Sequence, residues 1–400
     1  MTTADPAGNI EQLKAAADRA LMASDPRSAI ALFEQATSLA PGRFDLWIGL
    51  ASSLRMLGDD AAAVGALDQA LSLDPRAFPA LLMKAGLLER MGAPHQAGPA
   101  YGIALSQLPP ADQMPPPMRA AADRGKDIHA RYEAAMAQAL RGDLTDMKAG
   151  AGGPAGRRLD QFIDQLSGKR KVYHQEPVLF HYPGLPAIEF LDREDLPFMA
   201  AFEARTPDII AELAGVLDDD SDGLEPYINY PPHAPLDQWA ELNRNPRWSG
   251  YHLLLYGERV EAHCQRCPRT MDAISLLPQP VVQHRSPAAM FSVLQPRTRI
   301  PPHHGVANTR LVLHLPLVVP PGCGFRVGNE TREWKVGEGW VFDDTIEHEA
   351  WNDSDAARAI LIFDIWNPQL TPVERDLIRE ATIVLAEFTE QEGRVPGVAN

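Results

Sequence analysis

The chain has 400 residues, 45% of them apolar and 22% charged, which is too much for one ordinary core and too apolar for a disordered chain, so two or three packed domains are expected. A formal net charge of −16 repels phosphate backbones and anionic lipid, and only the short Arg157-Arg158 and Lys169-Arg170-Lys171 patches oppose it, which argues against nucleic acid or membrane as a partner. The opening Met-Thr-Thr-Ala-Asp-Pro has no basic or apolar leader pattern, no stretch approaches the roughly 18 apolar residues of a membrane span, and Cys264, Cys267 and Cys323 cannot build a disulfide framework, so a cytoplasmic protein with ordinary thiols is expected.

The first hundred residues repeat. Pro41, Pro75 and Pro109 are 34 residues apart, and the same period relates Ala29, Ala63 and Ala97, then Phe33, Leu67 and Tyr101, then Ala36, Ala70 and Ala104. Small alanines let paired helices approach, the larger residue fills the space between them, and proline stops the second helix. Gly58 and Gly92 fall where each pair needs a turn. The segment resembles tetratricopeptide repeats over residues 8–110, an all-α solenoid whose concave face suits a peptide or protein partner. A helical composition after Met114 extends this unit to about 145 as a cap. The glycine-rich run 149–156 predicts a flexible boundary within a linker at 146–175, with one short helix from Leu159 to Leu166. The second domain is expected over 176–390.

From about residue 285 the pattern becomes short strands with turns, at 290–294, 311–319, 325–327, 339–342 and 359–365, which predicts a double-sheet jelly roll. In Thr309-Arg-Leu-Val-Leu-His-Leu-Pro-Leu, alternation puts Leu311, Leu313, Leu315 and Leu317 on one face and Arg310, Val312 and His314 on the other, toward a polar interior. His303 stands in Pro302-His303-His304-Gly305, and His348 follows Asp343-Asp344-Thr345-Ile346-Glu347. Arg358 opens a strand ten residues later. Two neutral imidazoles on neighbouring strands suit Fe(II), and a buried-strand arginine suits a dicarboxylate co-substrate, which points to an iron and 2-oxoglutarate dependent oxygenase. Alternation turns His304 away from the site. Asp343 and Asp344 offer a carboxylate in principle, but capping the turn before His348 is the simpler role.

The motifs Ser292-Val-Leu-Gln-Pro, Pro302-His-His-Gly305, Asn308-x-Arg-Leu-x-x-His314-Leu, Gly328-Asn-Glu-Thr-x-x-Trp334, Phe342-Asp-Asp-x-x-Glu-His348-Glu-x-Trp-Asn and Asp364-Ile-Trp-Asn-Pro occur in order. By these words the second domain resembles the aspartyl/asparaginyl β-hydroxylase family of 2-oxoglutarate oxygenases, densest from Ser292 to Pro372. The resemblance implies a double-stranded β-helix (jelly-roll, cupin-like) domain with flanking helices, and His303 and His348 as the iron ligands. Gly305 stands where many related oxygenases carry an aspartate. Arg358 would pair with the distal carboxylate of 2-oxoglutarate with Ser292 donating to it, His314 would contact the carboxylate nearer the metal, and Trp248 would line the substrate mouth. Val312 replaces a family arginine on the inward face, leaving Arg310 as the nearest cation for substrate. The implied reaction hydroxylates an Asp, Asn or other side chain of a peptide or protein. The alternatives are a small-molecule or lipid hydroxylase, or a repeat-based interaction protein with a silent barrel.

Overall fold

The computed structural model describes residues 6–392 apart from 152, 232, 283 and 284, and it divides into two compact units, Met1–Arg170 and Lys171–Asn400. In the first, helices α1 (Pro6–Met22) and α2 (Pro26–Leu39), α3 (Phe44–Leu57) and α4 (Asp60–Leu73), and α5 (Phe78–Arg90) and α6 (Pro94–Leu105) pack as three successive pairs. The nine alanine and large apolar positions aligned by the 34-residue period are all buried, while the prolines of the same period lie nearer the surface. Asp25 and Asp59, one period apart, cap α2 and α4 by accepting from the backbone N–H of Ser28 and Ala62. Gly58 ends α3 with φ +88°, and nothing lies within 4 Å of where its Cβ would be, so the left-handed backbone rather than lack of space selects glycine there.

Helix α7 (Pro116–Asp143) follows as the expected cap. The expected linker is not one. It holds α8 (Thr145–Ala151) and α9 (Gly153–Leu166), the second containing the short helix expected at Leu159–Leu166, and the division between units falls after Arg170. Packing overrides the weak helix propensity of glycine: Ile163 is buried, and the pairs Arg141–Asp164 and Lys148–Asp160, each 2.5 Å, tie α9 to α7 and α8.

The second unit holds helices α10 (Met199–Glu203), α11 (Thr206–Asp219), α12 (Glu261–Arg266), α13 (Pro268–Ile274) and α14 (Pro372–Glu392) around two antiparallel sheets. Its strands are β1 (Glu225–Pro226), β2 (Trp248–Leu255), β3 (Glu258–Arg259), β4 (Ala289–Leu294), β5 (Thr298–His303), β6 (Arg310–Val318), β7 (Cys323–Val327), β8 (Glu330–Glu333), β9 (Trp340–Phe342), β10 (His348–Asn352) and β11 (Arg358–Trp366). The larger sheet runs β1-β2-β4-β11-β6-β9 with β3 on β2, and the smaller runs β5-β10-β7-β8. The five expected strands lie in β4, β6, β7, β9 and β11. Strand β5 escaped the alternation pattern because it carries Pro301 and Pro302, which a sheet tolerates at an edge, and β5 is an edge strand.

The leucine face of β6 packs with Phe202, Ile209, Leu213 and Val216 from α10 and α11 in one core. The opposite face meets the smaller sheet in a second core that joins Leu294, Val312 and Ile360 to Ile300, Phe325, Val327 and Ala350. A polar residue on that inner face is therefore buried between sheets, and it persists only if something there receives it. Among the described residues, no helix is long and apolar enough to cross a membrane.

Candidate active site

His303 ends β5 and His348 begins β10, and the two residues are direct cross-strand partners with ring centroids 4.0 Å apart. Each ring is oriented by its own strand. Nδ1 of His303 lies 2.7 Å from the Pro301 carbonyl oxygen, and Nδ1 of His348 lies 3.0 Å from that of Ile346. A carbonyl only accepts, so Nδ1 carries the proton in both rings and Nε2 keeps its lone pair. Burial pushes His303 well below the ordinary imidazole range and His348 down to about 4, so both are neutral at pH 7. Two neutral rings with Nδ1 tied to a carbonyl and the Nε2 lone pair free could hold a metal ion. Among the described residues, no group of three or more His, Cys, Asp or Glu side chains is placed to hold a metal ion.

Deeper in the same interior, Arg358 is 2% exposed, has no carboxylate partner among the described residues, and its Nε has no hydrogen-bond acceptor. Burial lowers it to about 10, still charged at pH 7. Its guanidinium lies 5.3 Å from the Trp334 ring, on which His314 stacks at 5.5 Å. Burial, and then the positive charge of Arg358, push His314 well below the usual range. Its buried Nδ1 is also without a partner. Phe325 and Phe342 pack on both His314 and His348 and wall this space. Ser292 accepts from Trp248 Nε1 at 3.1 Å, which leaves the hydroxyl hydrogen to donate. Trp248 itself is buried under Tyr227, ring centroids 4.2 Å apart, so its evident work is to hold Ser292 and back the wall.

Arg310 does not offer a free charge. It pairs with Asp344 and Asp364, each at 3.1 Å, and all three side chains are largely buried. Asp364 is a carboxylate inside the apolar run Ile360-Leu-Ile-Phe-Asp-Ile-Trp366, a position that in a buried strand demands a partner, and Arg310 is that partner. A Cβ built on Gly305 would overlap the Asp344 carboxylate, so glycine is required beside that acid. Asp343 caps its turn as expected, with Oδ1 accepting from Thr345 N and Oγ1. His304 faces outward, 3.8 Å from Glu176. Sequence reading missed Trp239, whose ring meets that of the half-buried His303 edge-on at 5.0 Å. It lies in an irregular stretch with no periodicity to single it out.

Helical repeats, and separately a two-sheet domain that brings together a neutral histidine pair and a buried arginine with no carboxylate partner among the described residues, define a modular protein. Residues 203–368 match the family described as Aspartyl/Asparaginyl beta-hydroxylase, and residues 20–85 match Tetratricopeptide repeat, so the second unit is a member of that hydroxylase family and the first carries the repeats. The human aspartyl/asparaginyl beta-hydroxylase is 40% identical over 141 residues, 35% of this chain and 18% of that protein. The ornithine lipid ester-linked acyl 2-hydroxylase of Rhizobium tropici is 32% identical over 202 residues, 50% of this chain and 66% of that protein. The human aspartate beta-hydroxylase domain-containing protein 2 is 28% identical over 210 residues, 51% of this chain and 54% of that protein. The chain thus spans less than a fifth of the first of these and at most about two thirds of the others.

Proposed function

We propose that the protein is an Fe(II)- and 2-oxoglutarate-dependent hydroxylase. The observation that carries this is the cross-strand pair His303 and His348, both neutral, both with Nδ1 tied to a backbone carbonyl and Nε2 left to bind. Arg358, charged and unpartnered, fits the distal carboxylate of 2-oxoglutarate. The Ser292 hydroxyl would donate beside it, and His314 would meet the carboxylate nearer the metal. Fe(II) would supply the activation of dioxygen that couples oxidative decarboxylation of 2-oxoglutarate to hydroxylation of a substrate C–H bond. The chain's own side chains hold the dicarboxylate in one orientation, and the aromatic walls around His314 keep water from it. The alternation of β4 to β11 between two four-stranded faces, β4-β11-β6-β9 and β5-β10-β7-β8, is the order a double-stranded β-helix requires.

The substrate in this reading is a side chain of a peptide or protein held by the repeats, in a reducing compartment that suits the three free buried cysteines. A second reading, an uncharged or acyl group, is favoured by one feature: Arg310 is neutralised by two carboxylates and Val312 presents only an apolar surface inward. The test is iron-dependent release of succinate from 2-oxoglutarate under air. His303→Ala and His348→Ala should each abolish it and the binding of Mn(II), an inert stand-in. Wild-type turnover with bound metal in either variant would overturn the assignment.

A further inference from the structure

The segment from Gln175 to Tyr182 has no regular secondary structure apart from one isolated bridge at Phe180, yet it is bonded to both loops that carry the histidines. Its backbone N–H groups donate from Glu176 to Thr345 O at 2.8 Å, from Val178 to Gly305 O at 2.9 Å, and from Leu179 and Phe180 to Val306 O at 3.1 and 3.0 Å. One side chain joins the two loops directly. Gln175 Oε1 accepts from Asn308 Nδ2 at 2.9 Å, and its Nε2 donates to Asp343 Oδ2 at 2.5 Å. Asn308 lies five residues after His303, and Asp343 five residues before His348. The orientation of both amides is fixed: Tyr182 N–H donates to Asn308 Oδ1 at 2.7 Å, so Nδ2 must donate, Gln175 must meet it with oxygen, and its nitrogen is left for the carboxylate.

We propose that Gln175 is a positioning residue that sets the separation of the His303 and His348 loops, so that the metal-binding pair is formed before metal arrives. The proposal rests on the metal reading given above. A merely structural glutamine would change stability when replaced; a positioning one changes the geometry and affinity of the bound ion. Groups hydrogen-bonded to metal-binding histidines are typically worth about 10- to 100-fold in affinity, and Gln175 acts one step further out, through Asn308 and Asp343, so the lower end of that range is expected.

The test uses the full chain with Mn(II) for affinity and Co(II) for its visible spectrum, which reports ligand geometry. Gln175→Leu, similar in size but without hydrogen bonds, should bind Mn(II) about tenfold or more weakly and show an altered Co(II) spectrum at saturation. Gln175→Glu keeps the volume and the acceptor for Asn308 but opposes Asp343, and should do the same even where the leucine variant fails to fold. Val178→Ala, whose side chain is exposed and whose backbone bond is retained, should match wild type. Wild-type affinity and spectrum in a soluble Gln175 variant, whatever its melting temperature, would overturn the proposal. Wild-type protein that takes up neither ion would instead sink the metal reading, and this one with it.

Discussion

Replacing Arg358 by methionine should make the empty protein more stable and the loaded protein impossible. The guanidinium is buried without an anion among the described residues, and burial, which disfavours the charged form, brings it down from its ordinary range to about 10. At about 1.4 kcal/mol per tenfold change in the equilibrium, keeping that charge in the empty pocket costs about 3 kcal/mol. Because the folded-state value lies below the unfolded one, the penalty is fully present at every pH below about 9 and is relieved only above it. Methionine fills similar space without charge, so the second unit should melt on the order of 5–10 °C higher in Arg358→Met. A bound dicarboxylate removes the same penalty in the wild type, worth roughly 100-fold in affinity before any direct hydrogen bond is counted. Thermal melts with Mn(II), with and without 2-oxoglutarate, read both effects: wild type should rise with the dicarboxylate and the variant should not. A variant that is less stable when empty, or that still responds to 2-oxoglutarate, would refute the reasoning.

Arg310→Met should destabilise the second unit by about 3–5 kcal/mol in denaturant titrations, because it strands Asp344 and Asp364 as buried acids, and adding Asp344→Asn and Asp364→Asn should restore most of it. Burial raises Asp343 to about 6, above its ordinary 3.8, so its ionisation opposes folding above pH 6 and the penalty lifts as pH falls through that value. Relative to Asp343→Asn, wild type should therefore gain about 1 kcal/mol between pH 7 and pH 5; a difference that stays constant with pH would count against it. Deleting residues 1–170 leaves the Gln175–Tyr182 segment in place, so 2-oxoglutarate turnover without substrate should persist while hydroxylation of a repeat-bound substrate falls. Unchanged kcat/KM on that substrate would make the repeats a separate module.

Periodicity carried most of what could be read in advance. The 34-residue repeat named nine core positions of the helical unit, and two-residue alternation in β6 sorted four leucines from Arg310, Val312 and His314, because both signals come from side chains that share one face. Of the helices α8 and α9 only the stretch Leu159–Leu166 was legible; the rest was hidden because glycine-rich composition reports intrinsic propensity, whereas Ile163 and two ion pairs supply tertiary support. The ties at Gln175 and the stance of Trp239 were hidden for another reason. They join residues more than sixty positions apart through irregular backbone, where no local rule fixes which way a side chain turns. Arg310 was legible as an inward cation but not as a spent one, since its two partners come from different segments.

The contact between Gly305 and Asp344 constrains how this pocket can change. A mutation introducing aspartate at position 305, the single step toward a two-histidine, one-carboxylate triad at the proposed metal site, drives a side chain into an acid already anchored by Arg310. The path to such a triad therefore passes through a shrunken residue 344 first, and that step unbalances the Arg310 charge. Directed evolution of this scaffold that samples one substitution at a time would meet a barrier at position 305, whereas libraries varying 305, 310 and 344 together would cross it.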